Sequence, residues 1–212
     1  MIGRPENQRT APADPSLIDG FKTAATAIIS DNLSRLPGAA NLRPFYTGGT
    51  MVGTALTVRT AAGDNLFIHR ALELIRPGDV LVVDGGGDES RALVGEIIAL
   101  IASTRGAAGI VIDGAIRDSA ALMKSNFPIF ARAANHRGPY KNGPGEINVP
   151  VSIAGLVVEP GDIVVGDQDG VVAFPLAMAP ELLSAVRAQE KREEEMMKSI
   201  REGRYSGAYG KR

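Results

Sequence analysis

The sequence predicts a mixed α/β domain: a parallel, helix-crossed centre, antiparallel hairpins after it, and helices at both ends. Three observations carry that expectation. From 80 to 133, apolar runs (VLVVD, GIVIDG, IFARA) alternate with helical stretches, the pattern of parallel strands joined by crossovers. From 151 to 175, short Val- and Ile-rich runs (VSIAGLVVEP, GDIVVGDQDG, VVAFP) are separated by Pro-Gly and Asp-Gly turns, which is hairpin chemistry. The 212 residues, 44% of them apolar, suffice for one core and one domain.

Taken in order, residues 1–15 are polar, hold three prolines and read as a disordered tail, so the domain is placed at 16–204 with a second tail at 205–212. From Ser16, Leu17, Ile18, Phe21, Ala24, Ala25 and Ile28 recur near helical spacing. A second short helix is expected from Ser30, with Ser30 or Asp31 as cap, to Leu36, where Pro37-Gly38 ends it. MVGTALTVRT (51–60) alternates as a strand, and Asp64-Asn65 opens a helix through Ile75. The centre then reads as strand 80–84, glycine-rich loop 84–90, helix 92–104, strand 109–114, loop 115–119, a short helix and strand 129–133. Asn135 to Val149 is a long Gly- and Pro-containing loop, of a length that is often functional. A closing helix is expected over 180–202: Leu182, Leu183 and Val186 give it an apolar stripe, and RAQEKREEE leaves its later part solvated or packed on another subunit. The echo between PGDVLVVDGGG and PGDIVVGDQDG is read as a recurrent turn-and-strand entry rather than a repeat, because the flanks differ.

Composition excludes several function classes. Lys and Arg number 23 against 24 Asp and Glu, which removes the basic surface that nucleic-acid binding needs. No cysteine is present, so disulfides, thiolate zinc sites and cysteine nucleophiles are absent together. No apolar run approaches the ~18 residues of a membrane span, and the N-terminus lacks signal-peptide character, so a cytoplasmic protein without membrane or nucleic-acid partners is expected.

Chemistry must then come from few groups. The two histidines are His69, read as a partly buried or surface side chain of a helix, and His136, a candidate substrate contact in the long loop. All six lysines fall in polar or loop contexts, against Schiff-base chemistry. Carboxylates, arginines and glycine backbone remain, and in β/α sheets ligands gather at the carboxyl ends of strands. One such end is VVDGGGDESRALVGE, where Gly85-Gly86-Gly87 would feed a helix and cradle an anion, although the GxGxxG spacing is not met. The other is VIDGAIRD. If the two strands are parallel neighbours, Gly95 and Glu96 lie near Arg117 and Asp118. Arg117 would then clamp a carboxylate, and Asp118 and Glu96 offer the oxygen ligands that Mg²⁺ prefers.

The segment GDVLVVDGGGDESRALVGEIIALIASTRGAAGIVIDGAIRDSAAL resembles the core of the class II aldolases that cleave 4-hydroxy-4-methyl-2-oxoglutarate and 4-carboxy-4-hydroxy-2-oxoadipate. The likeness spans about 16–200. Its specific element is an acid, twenty residues, then Arg-Asp: here Glu96 and Arg117-Asp118. The superfamily also holds the regulator of ribonuclease E activity A, a binding protein and the rival reading; its pattern lacks the acid before the gap. The resemblance implies a β/β/α swivelling domain assembled as homotrimer or hexamer with sites between subunits, where Glu193, Glu194 or Glu195 could reach a neighbour. It further implies Mg²⁺ or Mn²⁺ held by Asp118, with Glu96 acting at the metal's edge or through water, and a pyruvyl group bound by Arg117 and the backbone N–H groups of Gly95, Glu96, Ile97 and Ile98. Glu96 stands where some members carry Asp. The implied reaction cleaves a 4-hydroxy-2-oxo di- or tricarboxylic acid to pyruvate and a second oxo acid, with oxaloacetate decarboxylation on the side; a lyase for a different oxo acid stays open.

Overall fold

The computed structural model describes residues 7–9, 11–35 and 38–207. Four strands form its parallel centre: β2 (Met51–Thr60), β3 (Asp79–Val94), β4 (Gly109–Ile116) and β5 (Ile129–Ala134). They are joined by α3 (Leu66–Leu72), α4 (Glu96–Thr104) and α5 (Ser119–Ser125). Beyond β5 the sheet is closed by the short β1 (Arg43–Pro44), and beyond β2 by the antiparallel pair β9 (Ile163–Asp167) and β10 (Gly170–Phe174). A short β6 (Gly145–Ile147) also pairs with β2, making eight strands, while β7 (Val151–Ile153) and β8 (Leu156–Val158) form a separate hairpin. Two helices precede the sheet, α1 (Pro15–Phe21) and α2 (Thr26–Asn32), and α6 (Ala179–Arg201) follows it.

Strand alternation divides the core into layers. Leu56, Val58, Leu81, Val83, Ile110 and Ile112 point to one face, where Ile68, Leu72, Ile98, Ala102 and Leu122 of the crossover helices cover them. Ala55, Val80, Val82 and Val111 point to the other, where Val151, Ile153, Leu156 and Val158 of the β7–β8 hairpin pack with Phe130. A third cluster seats Phe21, Ile29, Leu182 and Val186 of the terminal helices on Ile163, Val165, Val172 and Phe174. Helices, sheet and hairpin therefore stack as three layers, the mixed architecture expected.

Four local expectations are corrected. The glycine-rich stretch 84–90 is not a loop feeding a helix. Gly86 and Gly87 take φ of 68° and 70°, conformations open to glycine, and let β3 continue as a bulged strand to Val94, with register shifts against β4. The helix expected over 92–104 accordingly starts at Glu96.

The helix expected from Ser16 breaks after Phe21, and the next begins at Thr26 rather than Ser30. Its cap comes from far away: the Asp167 carboxylate accepts both the Thr26 N–H (2.8 Å) and its Oγ1 hydroxyl (2.6 Å).

The N-terminal segment is no free tail where it is described. The side-chain amides of Asn7 and Asn148 each donate to the other residue's backbone carbonyl, Arg9 pairs with the buried Asp79 at 2.6 Å and also reaches Leu74 O, and Ala13 is buried. Residues 1–6 and 10, the Leu36-Pro37 stop and the last five residues lie outside the described residues. No helix among the described residues is long and apolar enough to cross a membrane.

Candidate active site

Because β2, β3 and β4 are parallel neighbours, their carboxyl ends open at one edge. β3 delivers Gly95 and the start of α4; β4 delivers Arg117 and Asp118. The Arg117 N–H donates to Val94 O at 2.9 Å, which locks the two strand ends together. Asp118 takes a left-handed φ of 57°, a conformation aspartate tolerates better than most residues, and this turns its carboxylate toward α4. Its Oδ2 accepts the Glu96 N–H at 3.0 Å and lies 3.6 Å from Arg117 Nε, so both contacts fall on one carboxylate oxygen. Gly95 is required by this closeness: a Cβ there would stand 2.4 Å from Asp118 Oδ2 and 2.9 Å from Arg117 Cγ.

Arg117 separates two depressions. On one side lies an exposed cleft lined by Glu96, Asp118, Ser119, Asn135 and His136. On the other is a pocket of about 140 Å³, several waters' worth, whose walls include Asn65, His69, Ile97, Ile98, Pro139 and Lys141. Glu96, Arg117 and Asp118 are thus brought together as the sequence predicts, and His136 does line the cleft. Gly95, Ile97 and Ile98 border the pocket. The Glu96 amide is engaged by Asp118, whereas those of Ile97 and Ile98 precede the first intrahelical bond, Ala99 N–H to Gly95 O, and point out of the helix start. Gly85-Gly86-Gly87 belongs to neither depression.

The sequence reading did not assign Asn65, His69 or Lys141 to the site, although His69 is the partly buried helical histidine it expects. Asn65 is buried; its amide donates to Leu93 O at 3.0 Å, and its Oδ1 has no partner, an acceptor held unused in the pocket wall. His69 is half-buried, and burial first, then the positive charge of Lys141, pushes its pKa below the ordinary value, which favours the neutral imidazole. The available signal was the third strand end: the rule that directs attention past β3 and β4 applies equally past β2, where Asp64-Asn65 stands.

Among the described residues, no three carboxylate, His or Cys side chains gather closely enough to enclose a metal. Two carboxylates on one cleft suit Mg²⁺, which commonly takes one or two protein oxygens and fills its octahedron with water and substrate. Asp118 and Glu96, on the same open cleft, therefore fit a hard divalent ion.

A match to the Aldolase/RraA model of the RraA-like family covers residues 26–173 and includes every group described above. The chain belongs to the Aldolase/RraA family. Among proteins of similar sequence is a provisionally named 4-hydroxy-4-methyl-2-oxoglutarate aldolase of Halalkalibacterium halodurans, 39% identical over 89% of this chain and 90% of that one. Two crystal structures share the fold. An uncharacterised Pseudomonas syringae protein superposes with a TM-score of 0.81 at 28% identity, covering 92% of this chain and 96% of the other. Streptomyces coelicolor RraAS2, described as an unusual member of the RNase ES inhibitor RraA family, gives 0.79 at 27% identity over 88% and 96%. The Aldolase/RraA family thus contains relatives named for aldol cleavage and relatives named for inhibition of an RNA-processing enzyme.

Proposed function

We propose that this protein is a divalent-metal-dependent aldolase that cleaves a 4-hydroxy-2-oxo dicarboxylic or tricarboxylic acid to pyruvate and a second oxo acid. The observation that carries this reading is the shared site of Glu96, Arg117 and Asp118, with Ile97 and Ile98 amides beside them. Two cationic side chains, Arg117 and Lys141, border one small pocket, and that suits a substrate with more than one carboxylate.

In the reaction the C3–C4 bond breaks, its electron pair passes through the 2-oxo group to form pyruvate enolate, and the 4-hydroxyl loses its proton as C4 becomes a carbonyl. Protonation of the enolate at C3 gives pyruvate. Arg117 holds the substrate carboxylate and offsets the enolate charge, and the Ile97 and Ile98 amides offer further donors to the same oxygens. Asp118, with Glu96, would hold Mg²⁺ or Mn²⁺, which supplies Lewis-acid stabilisation of the enolate when bound. Oxaloacetate decarboxylation passes through the same enolate and is an expected side activity. Exposed Ile97 and Leu100, at 69% and 64%, lie on α4, whose first turn borders the site, and support an assembled state, homotrimer or hexamer, in which this face is covered.

The test is pyruvate release, coupled to lactate dehydrogenase, from 4-hydroxy-4-methyl-2-oxoglutarate, 4-carboxy-4-hydroxy-2-oxoadipate and oxaloacetate. Activity is expected with Mg²⁺ or Mn²⁺ and none in excess EDTA. No pyruvate from any of the three at saturating metal overturns the aldolase reading and leaves the RraA-type inhibitor as the family role to test.

A further inference from the structure

Asp64 occupies a place that the reaction does not explain. It is a buried carboxylate, 3% exposed, and among the described residues it forms no salt bridge, yet it takes three backbone donors. Oδ1 accepts the Leu66 N–H at 2.9 Å, and Oδ2 accepts the N–H groups of Asn142 (2.6 Å) and Gly143 (3.0 Å). The first donor opens α3, which carries His69. The other two belong to the loop that carries Pro139 and Lys141. Asn65 is the next residue in the chain.

The surrounding backbone repeats the arrangement. Tyr140 N–H donates to Gly63 O at 2.8 Å, and Asn65 N–H donates to Tyr140 O at 3.0 Å, so 63–65 and 140–143 run together as one seam. The loop is also held from β3: Arg91 donates to Gly138 O and Tyr140 Oη, and Ala92 N–H donates to Arg137 O. Asp64 nevertheless differs from these ties, because a single carboxylate joins all three pieces that bring Asn65, His69 and Lys141 to the pocket.

We infer that Asp64 is a positioning residue of the substrate pocket: its carboxylate sets where Lys141 stands relative to His69 and Arg117, and through that fixes how the pocket reads an anionic substrate. Part of this rests on the aldolase reading and part does not. The placement of Lys141 can be observed without turnover, because Lys141 acts on His69 electrostatically.

The experiment uses the full chain with Asp64→Asn, Lys141→Met and the double variant. His69 and His136 are its two histidines, so proton NMR shows two imidazole titrations, assigned with His136→Gln. In Asp64→Asn the loop loses its anchor, Lys141 moves off, and the His69 pKa rises toward its ordinary value. Deleting the Asp64 charge alone would shift His69 downward, so direction separates repositioning from simple charge removal. Lys141→Met raises the His69 pKa as well, and adding Asp64→Asn to it brings no further rise. With 4-hydroxy-4-methyl-2-oxoglutarate and Mg²⁺, KM in Asp64→Asn rises about tenfold, the scale of one misplaced charge-assisted contact, with kcat within about threefold.

An unchanged or lowered His69 pKa in folded Asp64→Asn, or effects of the two substitutions that simply add, overturns the inference. Absent turnover in the wild type defeats the aldolase reading, while the titrations still decide the role of Asp64. If Asp64→Asn does not fold, amide exchange in the wild type decides: Asn142 and Gly143 must be protected like sheet amides, and exchange at open-loop rates refutes the clamp.

Discussion

A single methyl group at position 95 is expected to disable the site while leaving the fold nearly untouched. Gly95 has φ −142° and ψ −168°, extended backbone that alanine adopts freely, so Gly95→Ala brings no conformational penalty. Its Cβ would stand 2.4 Å from Asp118 Oδ2 and 3.1 Å from Arg117 Nε. Ordinary contact begins near 3.4 Å, so the carboxylate must retreat by about 1 Å. That retreat lengthens or breaks the Glu96 N–H bond to Oδ2, a charge-assisted contact of about 1.5–3 kcal/mol, at the low end here because Asp118 is 42% exposed. Against it stands a gain of roughly 0.4–1 kcal/mol, since alanine restricts the unfolded chain more than glycine. The net loss is about 1 kcal/mol, or about 2–4 °C in Tm for a chain of this size. The chemical loss is far larger, because a 1 Å displacement of a catalytic group costs on the order of 100-fold. Lactate dehydrogenase-coupled pyruvate release, run beside a thermal melt, measures both. Turnover within about threefold of wild type would refute the placement of Asp118 and Arg117 in the chemistry, and a Tm loss above ~10 °C would show that Gly95 serves the fold instead.

Other substitutions separate the remaining duties. Arg117→Ala should lower kcat/KM by about 2–5 kcal/mol, acting on both KM and kcat, and Arg117→Lys should recover only part because an ammonium lacks the planar fork. Asp118→Asn keeps a side chain that tolerates the left-handed φ of 57°, so the fold should persist while pyruvate release disappears at every Mg²⁺ concentration. Glu96→Gln should instead raise the metal concentration needed and slow turnover with KM for the oxo acid nearly unchanged; wild-type behaviour at limiting metal would remove Glu96 from the metal's surroundings. At the far end of β3, Arg9→Ala leaves the 1%-exposed Asp79 carboxylate without its cation and should cost about 3–5 kcal/mol in denaturant unfolding, with metal dependence unaltered.

The site's skeleton was legible because its logic is local: a strand, an acid at a helix start, and an Arg-Asp pair at the end of the next strand need only parallel neighbours to meet. What stayed illegible depends on partners far along the chain. Thr26 starts α2 because Asp167 caps it, and the segment around Arg9 is ordered because Asp79 and Asn148 receive it. Composition cannot announce such partners, so a polar, Pro-bearing stretch read as a tail. The 84–90 segment misled for another reason: its glycines signal a turn, yet bulges let the same φ values fit inside a strand. Lys141 was passed over because a loop lysine looks solvated until the seam at residues 63–65 places it beside His69.

The stretch between β5 and β6 is stitched to the body through Glu89, Ser90, Gly63, Asp64 and Asn65, and both its ends are sheet strands. A wall built this way makes a poor door. Substrate should therefore enter and leave by the open cleft beside Asp118 without an opening motion of this segment, and turnover should be insensitive to added viscogen unless encounter itself is limiting. The same stitching makes the segment exchangeable. It enters and leaves at fixed points on one sheet, so a replacement that keeps the partners of Gly63 and Asp64 inherits the seam and can present other side chains at 137–141. On the proposed aldolase reading, preference among oxo acids should be retunable along this short stretch while Glu96, Asp118 and Arg117 stay as they are.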